Sequence, residues 1–281
     1  MDTVNRAADV EPVDLEQVVD ALRGRRVAVL SGAGVSTDSG IPDYRGEGSV
    51  ARTPMTFQEF RSDPERRQRY WAGSHLGWRA FSAAAPNAGH RALAALESAG
   101  VVTGLITQNV DGLHLRAGSR RVVEIHGSMD RVLCLHCGQA FSRADLERTL
   151  DRDNAWIDDP GSVTLAPDGD VEVSGVERFV VPACSVCGGM LKPDVVFFGE
   201  FVPVEKFQEA VSIVAGADAL LVVGSSLVVN SGVRLVDHAV RRRKPVVIVN
   251  RGATRSDRRA VVKLHAGTTE TLTALAERLL P

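Results

Sequence analysis

Residues 27–46 read VAVLSGAGVSTDSGIPDYRG, and the fold is decided by how this stretch is interpreted. Val27, Ala28, Val29 and Leu30 form a short apolar run that stops at Ser31. Gly32 and Gly34 follow, then Ser36, Thr37 and Ser39, then the run from Gly40 to Gly46. A buried strand that ends in a glycine loop brings backbone N–H groups close to a docked ligand, typically a phosphate. The stretch therefore predicts a nucleotide loop at the end of a central strand. A GxGxxG register starting at Gly32 needs a third glycine at position 37, where this chain has Thr37. Beyond it the chain enters Pro42–Asp43–Tyr44–Arg45 instead of a second strand closed by an acidic residue. Both departures disfavour hydride transfer on an ordinary dinucleotide fold.

Outward from the loop, the pattern is regular. Upstream, Asp14 offers an N-cap and Leu15, Val18, Val19 and Leu22 make one helical stripe ending near Gly24. Residues 47–84 carry Phe57, Phe60, Tyr70, Trp71, Trp78 and Phe81 at helical spacing, which predicts a helical insertion. From Asn87 onward, apolar strands (Val101–Ile106, Val122–Ile125, Ala219–Val223, Pro245–Val249, Val261–Leu264) alternate with amphipathic helices. Continuous apolar strands of this kind belong to a parallel sheet covered on both faces. The predicted fold class is α/β, a Rossmann-like doubly wound parallel sheet with a smaller zinc-ribbon plus helical domain. Four strands end in small polar residues: Ser31–Gly32, Gln108–Asn109, Gly224–Ser225–Ser226 and Asn250. Since open α/β sheets bind ligands at the carboxyl ends of their strands, a nucleotide-sized ligand is expected across the sheet.

Composition narrows the class further. In 281 residues, 44% hydrophobic and 24% charged with a net charge of −2, there is no reason to expect bulk nucleic-acid or membrane-surface binding. No stretch has the length of a membrane span, and Asp2, Asp9, Glu11 and Asp14 are wrong for a secretory signal, so a cytoplasmic protein is expected. The four cysteines fall in two pairs, Cys134-x-x-Cys137 and Cys184-x-x-Cys187. Four thiolates close a tetrahedral zinc shell with no open position for water, so one structural Zn2+ is expected, on a ribbon whose two knuckles are separated by residues 138–183.

Three further segments carry chemistry. Gln108, Asn109 and Asp111 put amide and carboxylate groups at a strand end, where they either cap their own loop or hydrogen-bond a carboxamide. His126 ends a short strand just before Gly127, and an imidazole there suits a general base. The other histidines, His75, His90 and His114 among them, have no comparable setting and are expected to be structural. The run LKPDVVFFGE at 191–200 is either a core strand or an edge that pairs with an extended peptide.

Taken together, GAGVSTDSGIPDYRG, TQNVDGLH, EIHG, the paired CxxC knuckles, LKPDVVFFGE, GSSLVV and the Val249–Asn250 strand end resemble the sirtuin family, the NAD-dependent protein-lysine deacylases. The resemblance spans about residues 27–272 in the right order. It implies a large NAD-binding domain (14–46, 85–130, 191–281), a small domain (47–84, 131–190), and an acyl-lysine protein or peptide held between them. Gly32, Ala33, Gly34, Ser36, Asp43, Tyr44 and Arg45 would close over NAD, with residues 42–46 as a flap. Gln108, Asn109, Val110 and Asp111 would line the nicotinamide pocket; Gly224, Ser225, Ser226, Asn250, Arg251, Gly252 and Thr268 would hold the remainder of the dinucleotide. His126 would be the base, assisted by Asn109 and Asp111, while Tyr70, Val195, Phe197, Gly199 and Glu200 would meet the substrate. In the family reaction the acyl oxygen displaces nicotinamide from its ribose. The base then helps a ribose hydroxyl attack the acyl carbon, and O-acyl-ADP-ribose and free lysine are released. A mono-ADP-ribosyltransferase using the same pocket and a non-catalytic NAD-sensing module are the alternatives.

RQRYWAGSHLGW, AGSRRVVEIHGSMDRVLCLHCG and LAPDGDV further resemble the class II branch, and a bacterial monomer is expected. Class II desuccinylases carry a Tyr-x-x-Arg pair. Tyr70 matches the tyrosine, but Gly73 stands where the arginine would be, and a buried succinyl carboxylate left unpaired costs a few kcal/mol.

Overall fold

The structure is a computed structural model that describes residues 15–43, 54–157, 167 and 175–280. Tyr44, Arg45 and Gly46 of the expected flap, together with most of the LAPDGDV segment, lie outside the described residues.

Six parallel strands build the main sheet: β1 (Val27–Ser31), β2 (Val102–Thr107), β3 (Val122–Glu124), β7 (Ala219–Val223), β8 (Val246–Val249) and β9 (Val262–Leu264). Their spatial order is β3-β2-β1-β7-β8-β9. After β1 the chain moves to one side through β2 and β3, then returns to β1's other flank with β7. The strand order therefore reverses between β1 and β7, and the crevice beyond their carboxyl ends is where such sheets take ligands.

Alternation along β1 shows why both faces are covered. Val27 and Val29 point into a core with Val18 and Leu22 of α1 (Leu15–Leu22), Leu93 and Leu96 of α4 (Ala88–Ser98), and Leu272 and Leu275 of α9 (Thr268–Leu279). Ala28 and Leu30 point the other way. They meet Ile213 and Val214 of α7 (Val204–Gly216) and Leu235 and Val236 of α8 (Asn230–Arg241). Neighbouring side chains on a strand face opposite sides, so the apolar run Val27–Leu30 is satisfied only between two helical layers.

A second, three-stranded antiparallel sheet has the order β5-β4-β6, formed by β4 (Gly127–Cys134), β5 (Ala140–Ser142) and β6 (Leu191–Val195). The segment from Leu191 is thus a strand, laddered onto β4 and not onto the parallel sheet. With α2 (Phe57–Ser62), α3 (Pro64–Ala83) and α6 (Arg143–Asp153) it shares a third core, in which Phe60, Trp71, Met129, Val132 and Leu191 are buried. The helix α6 lies inside the cysteine-bearing insert, which the sequence reading had not divided into elements. Its fully buried Arg143 bonds Ser74 Oγ at 2.9 Å, pairs with Glu147, and lies over the Trp71 and Trp78 rings, fastening α6 to α3.

Candidate functional site

The β1 and β7 loops meet backbone to backbone at the switch point. Gly34 N–H donates to the Gly224 carbonyl at 2.9 Å, and Gly32 N–H to the Val223 carbonyl at 3.0 Å. A Cβ on Gly32 would lie 2.7 Å from Gly224 O, one on Gly34 2.9 Å from Gly224 Cα, and one on Gly224 2.6 Å from Val35 N. All three positions must be side-chain-free for the loops to touch. After Ser31 the chain makes two short 3-10 turns, at Ala33–Val35 and Thr37–Ser39, in place of a long helix. Thr268, opening α9, donates its hydroxyl to the Gly34 carbonyl at 2.9 Å and brings that helix to the same loop.

Beneath the loop runs a buried polar chain. Ser36 Oγ donates to Asp111 Oδ2 at 2.7 Å and accepts from Asn109 Nδ2 at 3.1 Å. His90 Nδ1 accepts from the Asn87 N–H at 3.3 Å, which leaves the proton on Nε2, 3.5 Å from Ser36 Oγ. His114 lies with its ring centroid 4.7 Å from that of His90 and its Nε2 2.8 Å from Ser31 Oγ. Burial pushes His90 down to about 4 and His114 well below the usual histidine range, so both are neutral. The Asp111 carboxyl is raised by burial, against the bonds it accepts from the Leu113 N–H and Ser36. From the sequence alone, His90 and His114 are expected to be structural. Their shared network with Ser36 and Asp111 joins residues up to 83 positions apart, and spacing alone does not reveal it.

His126 follows β3. Its Nδ1 donates to the Gln108 carbonyl at 3.1 Å, so in the neutral ring Nε2 carries the lone pair. Burial holds the imidazole below its ordinary range, and the Gln108 carbonyl partly opposes this. The next residue has to be glycine: Gly127 takes φ +87, and a Cβ there would sit 1.8 Å from the Asp194 carbonyl. Arg131 braces the same corner with ion pairs to Glu124 at 3.0 Å and Asp194 at 2.9 Å. Gln108 is fixed in turn, its Oε1 accepting from Ser225 Oγ at 2.5 Å. Gln108, Asn109, Asp111, His126, Gly224 and Ser225 therefore converge on one crevice.

The other expected residues lie at its margins. Ala33 and Ser226 are half-buried; Arg255 N–H reaches the Ser226 carbonyl at 3.1 Å. Val110 is buried, and Asp43 is half-buried. Asn250 follows β8, its Nδ2 donating to the Gly252 carbonyl at 2.9 Å, while the exposed Arg251 lies 3.8 Å from Glu270. Among the expected substrate residues, Tyr70 and Phe197 are buried edge to face at 5.2 Å, and Val195 is buried beside them in the third core. Glu200 accepts from the Phe197 N–H at 2.9 Å and pairs with the buried Lys192 at 3.1 Å, behind exposed Gly199. Outward from this turn project Phe198, Phe201 and Val204, with Phe201 93% exposed. The Val196 N–H bonds the His126 carbonyl at 2.8 Å, which places the turn directly beside the imidazole.

The four cysteine Sγ atoms lie within 4.8 Å of one another, and no disulfide joins them. Cys134–Cys187 and Cys137–Cys184 are separated by 3.6 and 3.8 Å. A tetrahedron with Zn–S bonds of about 2.3 Å has edges of about 3.8 Å, so the donor set fits zinc with every position filled by protein. From Gly127, beside His126, β4 runs eight residues to Cys134, roughly 20 Å at strand rise. A metal there shapes the smaller sheet and does not reach the crevice.

A doubly wound sheet with two glycine loops meeting at its switch point, a buried imidazole of fixed tautomer beside them and a remote four-cysteine cluster fit for zinc defines an α/β protein of the nucleotide-binding kind. A Sir2 family model matches residues 32–231, and the chain belongs to that family. It is 55% identical over 278 residues to an NAD-dependent protein deacetylase 1 of Streptomyces coelicolor, covering 97% of this chain and 93% of the relative. It is 52% identical to the like-named protein of Mycobacterium avium, covering 99% and 98%. Among solved structures, one described as "Sir2-p53 peptide-NAD+" superposes with a TM-score of 0.76 at 31% identity, covering 94% of this chain and 98% of that one. Another, "Sir2 bound to acetylated peptide", gives 0.75 at 30% identity, with coverage of 94% and 98%.

Proposed function

We propose that the chain is an NAD-dependent protein-lysine deacylase that releases nicotinamide and O-acyl-ADP-ribose, with His126 as its base. The observation that carries the reading is the buried imidazole whose Nδ1 is locked by the Gln108 carbonyl, leaving Nε2 basic at the carboxyl end of the parallel sheet. When bound, NAD supplies a nicotinamide–ribose bond that breaks to leave an electrophilic anomeric carbon. Gly32, Gly34 and Gly224, free of Cβ atoms, let the β1 and β7 loops close on each other and so build the crevice that the dinucleotide would enter. Asn109 and Asp111, with Ser36 between them, present an amide donor and an acceptor to the carboxamide. His126 takes a hydroxyl proton at Nε2, and the buried setting keeps the ring neutral and ready at pH 7. The relatives at 55% and 52% identity are NAD-dependent protein deacetylases, which supports a deacylase reading.

The chain is read as a class II member working as a cytoplasmic monomer on an extended acyl-lysine peptide. Its larger unit holds NAD (14–46, 85–130, 191–281) and its smaller unit covers 47–84 and 131–190, with the border passing through the β4–β6 ladder. Among the described residues, no helix is long and apolar enough to cross a membrane. With Gly73 one turn from Tyr70 on α3, neutral acyl chains are expected over succinyl. The test is an acyl-lysine peptide panel with NAD. Nicotinamide and O-acyl-ADP-ribose in equal amounts are expected. A stable ADP-ribosyl-protein adduct, or no nicotinamide from any peptide, refutes the reading.

A further inference from the structure

One hydroxyl in the crevice belongs to none of the motifs above. Ser231, 8% exposed, lies in the first turn of α8 with its Oγ 2.9 Å from His126 Nε2. The direction of this bond is fixed. Nδ1 must carry the ring proton because its partner, the Gln108 carbonyl, only accepts. Nε2 is then the acceptor, and Ser231 donates. A serine in the first turn of a helix ordinarily spends its hydroxyl on the free N–H groups of its own helix. No side-chain cap is formed at this helix start, where the N-cap is Val229, and the Ser231 hydroxyl goes to the imidazole.

The surroundings hold that contact in place. Gly232 packs so closely that a Cβ on it would lie 3.1 Å from Gln108 Nε2, while Ser225 clamps the same amide from the other side at 2.5 Å. The connecting turn passes through Leu227 at φ +54, a conformation leucine rarely takes, and the Leu227 N–H bonds Ser225 Oγ at 3.2 Å. One loop, 224–232, therefore holds the side chain of Gln108, whose carbonyl bonds Nδ1, and supplies the partner of Nε2.

We propose that Ser231 is a positioning residue for the base: it keeps the His126 ring in the orientation that aims Nε2 into the crevice, and exchanges donor for acceptor as the ring changes protonation. As the chain stands, its O–H donates to the Nε2 lone pair. When substrate is bound, the Ser231 O–H turns about Cβ–Oγ and frees that lone pair; the ribose hydroxyl gives its proton to Nε2 as its oxygen bonds the acyl carbon and the C=N π pair of that carbon moves onto the lysine nitrogen, and the Ser231 oxygen then accepts from the Nε2–H of the imidazolium. A hydroxyl can fill both parts. Attack by the acyl oxygen on the ribose, the earlier bond exchange, removes no proton and has no use for the pair.

The inference rests on the deacylase reading, and its test separates the two. Full-length wild type, Ser231→Ala and Ser231→Thr are compared by the 15N resonances of the His126 ring, by nicotinamide exchange, and by deacylation across pH. In Ser231→Ala the Nε2 resonance is expected to shift to that of an unbonded nitrogen. Deacylation kcat should fall roughly five- to tenfold, the effect of one lost hydrogen bond, while exchange stays within about twofold of wild type. Threonine should restore both the resonance and the rate. An unchanged resonance, an unchanged kcat, or an equal fall in exchange and deacylation overturns the proposal. A wild-type chain that releases no nicotinamide refutes the deacylase reading instead, and the imidazole resonance alone then decides the Ser231 assignment.

Discussion

Replacing Gly32 with alanine isolates the contact on which the crevice depends. Gly32 has φ −135 and ψ −174, a conformation any residue adopts, so the substitution strains no backbone. By restricting the unfolded chain it even gains about 0.4–1 kcal/mol. Against that gain, the new Cβ would lie 2.7 Å from Gly224 O and 2.8 Å from Ser225 Cβ. Carbon contacts relax at about 3.5 Å, so the β1 and β7 loops must part by roughly 0.7 Å. Overpacking of this kind costs about 1–3 kcal/mol, and the bonds Gly32 N–H to Val223 O and Gly34 N–H to Gly224 O, which straddle the contact, weaken with it. The net loss is about 2 kcal/mol, or a Tm lower by roughly 4–8 °C for a chain of this size. Gly40→Ala is the control. Gly40 has φ +85 but nothing within 4 Å of a built Cβ, so it should lose about 1 kcal/mol of backbone energy and keep its affinity for NAD. Thermal unfolding and calorimetric titration with NAD measure both effects. A Gly32→Ala protein with wild-type Tm and NAD affinity, or a Gly40→Ala protein equally impaired in binding, refutes the reasoning.

Acid should destabilise the fold through its buried histidines. His90 titrates near 4 when folded and near 6.5 when unfolded, so below pH 6.5 the unfolded chain binds the extra proton and stability falls. Between pH 6.5 and 5 this amounts to about 2 kcal/mol for His90, with His114 and His126 acting in the same direction. Asp111, raised by burial, opposes them at the acidic end. Urea midpoints unchanged from pH 7 to 5 would contradict this. For the cysteine cluster, one equivalent of zinc is expected per chain, and Cys184→Ser should lower the unfolding midpoint; metal-free wild type with an unaltered melt would sink the assignment. Arg143→Ala removes the cation from buried Glu147 and empties the space over Trp71 and Trp78, and should cost about 3–5 kcal/mol in chemical denaturation. A loss under 1 kcal/mol would show that the buried pair contributes little.

What the sequence by itself determined is what local chemistry encodes. The run Val27–Leu30 is apolar at every position because both sheet faces are covered, so strand, parallel sheet and covering helices are legible together. The cysteine spacing was equally legible, since a CxxC knuckle is a local turn. His126 could be singled out because Gly127 follows it, although the reason for that glycine, the Asp194 carbonyl 1.8 Å from a Cβ, comes from a strand 67 residues away. Only the tertiary structure decided which groups share a proton or a hydrogen bond. It placed the ladder of β6 on β4, the chain from Ser31 through His114 and His90 to Ser36 and Asp111, and the grip of Ser231 on the imidazole. Periodicity records which face of an element is apolar. It carries no record of which polar atom on one loop lies 3 Å from another, because that distance is set by how separate elements dock.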